Sequence, residues 1–139
     1  MKLFFDTNVL LDILQVREKF VVDSSKVFSK CALGVHGGMF SSLSACNMVY
    51  VSRRYFSQEQ VQSMVLTMSK TIRLLDTRAE EVAVALSGIS TDFEDEVQRL
   101  CAENNGADVI ITRDKDGFTN ASIPVMTPTE FLDWQEQDQ

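Results

Sequence analysis

Four aspartates stand where a cation or a phosphate would be met. Asp6 directly follows the apolar run Leu3-Phe4-Phe5, Asp92 and Asp95 lie three apart, and Asp114 comes two residues after Val109-Ile110-Ile111-Thr112. An acid that closes an apolar run is costly to bury unless something compensates it. Residues three apart share a helix face, so Asp92 and Asp95 point the same way. Carboxylates gathered at one edge repel one another until a cation neutralises them. An all-oxygen set suits Mg²⁺ or Mn²⁺, which need few protein ligands and keep waters and substrate phosphates in their remaining positions. Each acid also has a structural reading. Glu94 fits a capping box with Thr91, Asp92 suits the positive end of a helix, Asp95 can pair with Arg99, and Asp12 reads as a solvated helix residue. Asn8 either supports Asp6 by a hydrogen bond or simply suits a turn.

Other chemistries are excluded by spacing. If Asp114-Lys115-Asp116-Gly117 filled positions three to six of a calcium loop, Thr112 and Ile123 would occupy the first and twelfth, where acids are required. There is no Gly-rich nucleotide loop. Ser41, Ser42 and Ser44 have no histidine placed to make a triad, and His36, beside Gly37-Gly38, reads as an exposed turn residue.

The elements that must position the acids follow from apolar pattern and punctuation. Leu3-Phe4-Phe5 is a short strand buried on both faces, ending near Asp6. Residues 7 to 15 form a helix with Val9, Leu10, Ile13 and Leu14 on one face, and a second helix runs from about Val21 to Ala32. Met39-Phe40-Ser41 is a strand, followed by a helix from Ser44 to Phe56. Capping boxes at Ser57/Gln60, Thr77/Glu80, Thr91/Glu94 and Thr127/Glu130, the last with Pro128 at the first helical position, mark four later helix starts. Ile72 to Leu75, Val109 to Thr112 and Pro124 to Met126 are the remaining strands. Strands alternating with helices imply an α/β fold with a parallel sheet. Ligands of such sheets sit outside the carboxyl ends of the strands, where the acids are expected.

Composition bounds the rest. The 139 residues suit a single domain, and 45% hydrophobic content fills one core. The 3 cysteines, Cys31, Cys46 and Cys101, are widely spaced in apolar stretches and read as small buried hydrophobes in a reducing cytoplasm. No segment is long and apolar enough to span a membrane, so a soluble cytoplasmic protein is expected. With 13 basic and 20 acidic side chains the net charge is −7, unlike an ordinary basic nucleic-acid binder. Several of the acids gathered round a cation would account for part of that excess.

Phe5-Asp6-Thr7-Asn8-Val9-Leu10-Leu11-Asp12 resembles the amino-terminal motif of PIN domains, a small metal-dependent ribonuclease fold that includes VapC-type toxins. Asp92-Phe93-Glu94-Asp95, followed by Val97-Gln98, is similar to the segment carrying that family's third acid, with Asp95 at the matching position. Ile111-Thr112-Arg113-Asp114 with Phe118 resembles the fourth motif, and Pro124 to Phe131 the closing strand and helix. The family's second acid, usually Glu, falls at Asn47, as in a branch of PIN-like proteins that lacks it. Asn still offers a carbonyl oxygen but carries no charge. Gly117 precedes Phe118 where an Asp often stands, so Asp114 is the fourth acid and Asp116 the reserve.

The resemblance implies a three-layer PIN-like fold with a central parallel sheet of four to five strands flanked by helices. It implies hydrolysis of RNA phosphodiesters with Mg²⁺ or Mn²⁺ on Asp6, Asp95 and Asp114, helped by Asp92. Asn8, Asn47, Glu94, Thr112 and Asp116 would support them, and Arg53, Arg54 and Arg113 would contact RNA phosphates. Such domains commonly form homodimers and pair with an antitoxin protein that would cover the acidic cleft. Two other functions stay open. One is a degenerate PIN domain that binds protein or RNA without turnover, suggested by Asn47. The other is an aspartate-nucleophile phosphohydrolase using Asp6, disfavoured because Asn8 stands where that chemistry wants a second Asp.

Overall fold

The structure, a computed structural model, describes residues 1–138. Its centre is a five-stranded, all-parallel sheet in the order β3-β2-β1-β4-β5, formed by β1 (Lys2–Phe5), β2 (Gly37–Ser41), β3 (Arg73–Leu75), β4 (Val109–Ile111) and β5 (Val125–Met126). Among the described residues seven α-helices flank it: α1 (Thr7–Leu14), α2 (Val21–Ala32), α3 (Ser42–Val51), α4 (Gln58–Thr71), α5 (Ala79–Ser87), α6 (Phe93–Asn104) and α7 (Pro128–Gln137). This is the expected α/β class, with the sheet at five strands.

The strands are apolar at every central position because the sheet is covered on both sides, and the two-residue repeat divides their side chains between two cores. Leu3, Phe5, Phe40, Val109 and Ile111 meet Val9 and Leu10 of α1, Val27 of α2, Met48 of α3, Val61 and Val65 of α4, and Phe131 of α7. Phe4, Met39, Leu75 and Ile110 face the other way, onto Cys101 and Ala102 of α6 and onto Phe118. Both cores are dry enough to push the Cys31 and Cys101 thiols up to about 11 and about 12. In β2, Gly38 allows a close approach: a Cβ there would collide with Ile72 and crowd Cys31.

Most expected elements form within a residue or two of their sequence bounds, and the departures have local causes. The helix expected from Ser44 to Phe56 starts at Ser42, capped by Ser41, and gives way to a 3-10 turn over Ser52–Arg54. The boxes at Ser57/Gln60 and Thr127/Glu130 form as expected, but the other two do not. At Thr77 the hydroxyl is taken by Ser42 and by the Leu43 N–H, so α5 begins one residue later and Glu81 accepts from the Arg78 N–H. At Thr91 the cap moves to Asp92, whose carboxylate accepts from the Asp95 N–H at 3.0 Å. Cys46 is exposed rather than buried. His36 is half-buried rather than exposed in a turn, with its ring edge-on to Phe131 and Nε2 2.7 Å from the Gln135 side-chain nitrogen.

Candidate functional site

The strand order reverses at β1. The chain moves outward through β2 and β3, then returns to place β4 on the other side of β1, which opens a crevice above the carboxyl ends of β1 and β4. Asp6 stands at that point. It is 4% exposed, caps α1 by accepting from the Thr7 N–H at 2.8 Å, and accepts the Thr112 hydroxyl proton at 2.7 Å. Thr112 is the junction of the crevice floor, because its oxygen also accepts from the Asp114 N–H at 3.0 Å. Asn8 secures the same segment by accepting from the Arg113 N–H at 3.2 Å.

Asp95 and Asp92 arrive from the start of α6, and Asp114 from the loop after β4. Their carboxylate oxygens lie within 4.8 Å of one another. Asp116, the reserve, is exposed on the following turn and lies outside this group. Burial raises the Asp95 carboxyl to about 8, with the charges of Asp6, Asp92, Asp114 and Glu94 adding to it. Asp6 is pushed up to about 6, again chiefly by burial, against the lowering effect of the Thr112 and Thr7 hydrogen bonds. Glu94 and Asp114 push it further up. Burial is the larger cause at both carboxyls, and the neighbouring acids add to it. The donors are all oxygens, so the set fits a hard divalent cation such as Mg²⁺ or Mn²⁺.

The surroundings hold Asp95 tightly. A Cβ on Gly117 would run into its carboxylate, so the glycine that stands where the family often has an Asp gives that carboxylate its space. Arg99 does not pair with Asp95. It is engaged by Glu96 and Glu103 on its own helix, Glu103 at 2.6 Å. Glu94 instead receives a hydrogen bond from the Asn47 side-chain amide at 2.6 Å, which joins α3 to α6 above the sheet. Burial and the neighbouring Asp92 raise the Glu94 carboxyl, while Asn47 lowers it.

Two supports are not legible from the sequence. Beneath the acids, Gln98 is fully buried and binds three hydroxyls: it accepts from Ser41 at 2.6 Å and donates to Ser44 at 2.7 Å and Thr7 at 3.2 Å. That network ties α6 to β2, α3 and α1. Its place beside Val97 in the motif-like segment, one turn from Asp95 on the same helix face, is the hint the sequence carries. Asp12, expected in solvent, is fully buried. It accepts from Arg113 Nε at 2.8 Å and Nη2 at 3.0 Å, and from the Ser24 hydroxyl at 3.1 Å, with Arg17 at 3.5 Å. The Arg113 guanidinium also stacks 3.8 Å from the centre of the Phe20 ring, so this arginine is committed to holding the segment that carries Asp114. Arg53 and Arg54 lie beyond the end of α3, lining a cavity of about 340 Å³ with Arg17, Tyr50 and Tyr55. Arg53 stacks on Tyr50 at 3.7 Å.

Among known families, the PIN domain model matches residues 2–116 of the chain. No curated protein sequence matches it. Among solved structures, VapBC2 of Rickettsia felis bound to a promoter DNA fragment aligns with a TM-score of 0.67 and 15% identity, covering 91% of this chain and 97% of that one. DNA-bound VapBC of Salmonella typhimurium gives 0.68 at 14% identity, covering 92% and 98%. VapC20 of Mycobacterium tuberculosis, a toxin that cleaves the sarcin-ricin loop, gives 0.62 at 14% identity, covering 78% and 86%.

Proposed function

The chain belongs to the PIN domain family, and on that footing we propose that it is a divalent-metal-dependent endoribonuclease, the toxin of a toxin–antitoxin pair. The observation that carries this reading is the meeting of Asp92, Asp95 and Asp114 within 4.8 Å, beside buried Asp6 at the switch point of the sheet. Asp6, Asp95 and Asp114, with Asp92, would hold Mg²⁺ or Mn²⁺. The bound ion supplies a polarised phosphoryl oxygen and a water of lowered pKa.

The protein's own part is positional. Thr112 fixes the Asp6 carboxylate and the backbone of Asp114 at once, so the two acids cannot drift apart. Asn8 and the Asp12–Arg113 pair hold the loop between them. Asp6 and Asp95, both raised by burial, would have to give up their protons to hold a cation, so metal binding would be pH-dependent. Arg53 and Arg54 offer contacts for RNA phosphates, away from the acids and beside two exposed tyrosines. An open groove of about 360 Å³ lined by Ile13, Leu14, Phe28, Met64 and Met68 supports the antitoxin reading, because it offers a partner an apolar seat. Homodimerisation belongs to the same reading. Among the described residues no helix is long and apolar enough to cross a membrane.

The test is incubation of purified protein with mixed RNA and Mn²⁺ or Mg²⁺, alongside EDTA and an Asp6→Asn variant. Metal-dependent cleavage that the variant loses supports the proposal. Intact metal binding without cleavage favours the degenerate PIN domain, for which Asn47 is the specific observation, and a phosphorylated Asp6 would defeat both.

A further inference from the structure

We infer that the cavity beyond the end of α3 seats one unpaired RNA nucleotide, its base stacked on the platform of Tyr50, Arg53 and Tyr55 and its phosphate held by Arg17 and Arg54. The inference rests on RNA as the substrate and deepens that reading, because it selects single-stranded RNA over duplex.

The chain carries a net charge of −7, yet this cavity of about 340 Å³ is lined by Arg17, Arg53 and Arg54 and, among the described residues, by no acid. Arg78, Arg99 and Arg113 are each paired with a carboxylate, whereas among the described residues neither Arg53 nor Arg54 is. Arg17 reaches Asp12 only at 3.5 Å, and that carboxylate is already held by Arg113 at 2.8 Å. Positive charge gathered with so little to answer it calls for an anion, and phosphate matches the guanidinium fork.

The tyrosines decide which anion. Tyr50 and Tyr55 are 64% and 68% exposed, so neither ring is there to fill the core. The Arg53 guanidinium lies 3.7 Å from the centre of the Tyr50 ring and donates to the Tyr50 carbonyl at 2.8 Å, which fixes its place over the ring. Rings and guanidinium planes are the surfaces on which unpaired bases stack, whereas the bases of a duplex cover one another's faces. An acidic peptide would use the arginines and leave both rings bare. The volume lies near the lower end for small-ligand sites, about 300 Å³, which suits a single nucleotide.

The backbone is bent to complete the cavity. Val16 has a φ of 50° and is, among the described residues, the one non-glycine residue in the left-handed region, which a β-branched side chain adopts only at a cost. Both of its neighbours line the cavity. Arg17 Nε donates to Gln15 Oε1 at 3.1 Å, and the Gln15 amide donates to the Ser52 hydroxyl at 3.1 Å, which binds the end of α1 to the turn that carries Arg53 and Arg54. Asp12 then joins the cavity to the acidic crevice, because one carboxylate meets both Arg17 and the Arg113 that precedes Asp114.

Fluorescence anisotropy of the full chain in EDTA, with labelled oligonucleotides of one length, tests this without turnover. The probes are an unstructured single-stranded RNA, an RNA duplex, and an abasic strand that keeps the phosphates and lacks the bases. The single strand is expected to bind roughly 5- to 100-fold tighter than the abasic strand. Tyr50→Ala and Tyr55→Ala should each weaken single-strand binding by about 5-fold or more, and Tyr50→Phe and Tyr55→Phe, which keep the ring, should recover it. Thermal melts establish that the variants are folded. Alanine variants that bind single-stranded RNA as tightly as the parent would overturn the inference, as would a parent that binds the duplex as tightly as the single strand. Equal binding of the single strand, the abasic strand and a glutamate-rich peptide would reduce the cavity to a general anion site and overturn it also. Cleavage is scored separately. A parent that cuts RNA but fails these binding tests defeats this inference alone, and one that passes them but cuts no RNA with Mn²⁺ or Mg²⁺ defeats the nuclease reading alone.

Discussion

Removing Asp95 should make the metal-free protein more stable while destroying its metal site. In the folded chain the Asp95 carboxyl sits at about 8 against an ordinary 3.8, so near pH 7 it stays largely protonated. The unfolded chain ionises it freely. Between those two values the unfolded state binds fewer protons than the native one, and stability of the metal-free protein must fall as pH rises through the window. Each pKa unit corresponds to about 1.4 kcal/mol, and roughly three units separate 3.8 from neutrality, so the cost near pH 7 is on the order of 2 to 4 kcal/mol. An amide of the same shape has no proton to lose. Asp95→Asn is therefore expected to match the parent near pH 4 in urea denaturation with EDTA, and to exceed it by on the order of 2 to 4 kcal/mol near pH 7. Mn²⁺ at about a thousand times Kd should reverse the order, because it stabilises only the chain that binds it, by about 4.1 kcal/mol. An Asp95→Asn protein no more stable than its parent near pH 7, or one with the same gain at both pH values, would refute the reasoning.

Replacing Asp12 with Ala strands the Arg113 guanidinium in a partly buried site and should cost about 3 to 5 kcal/mol in chemical denaturation. Gly117→Ala pushes a methyl group against the Asp95 carboxylate, so calorimetry should show weaker Mn²⁺ binding even where the melting temperature in EDTA barely changes. Charge reversal of Arg53 and Arg54 to Glu should weaken RNA binding measured by fluorescence anisotropy in EDTA. It should also flatten the salt dependence by about 0.7 in slope for each phosphate left without its arginine, with Mn²⁺ affinity unchanged.

Local grammar carries the acids and fails on their partners. Asp6 is readable because an acid ending Leu-Phe-Phe has few bland explanations, and Asp114 because it follows the most apolar strand of the chain. Asp12 is misleading because its partner is 101 positions away: on a helical wheel an acid beside Leu11 is simply polar, and only the closure of β4 onto β1 brings Arg113 to it. The shifted caps have the same origin. Thr77 and Thr91 each precede a suitable Glu, yet Ser42 claims the first from just past the end of the neighbouring strand β2, and the adjacent Asp92 outcompetes the second with a charged acceptor. Gln98 passes for an ordinary helix residue because three hydroxyls on three different elements are needed to satisfy it, and no spacing rule gathers Thr7, Ser41 and Ser44 around one amide.

The placement of β4 beside β1 has a consequence for when the acidic set can assemble during synthesis. Thr112, which orients Asp6, and Asp114 are synthesised only after more than a hundred further residues. Synthesis at about 5–20 residues per second leaves that interval seconds long. For most of it the nascent chain carries a single member of the acidic set and no β4 to close the crevice. The acidic set is thus completed only once β4 has been made and has closed onto β1.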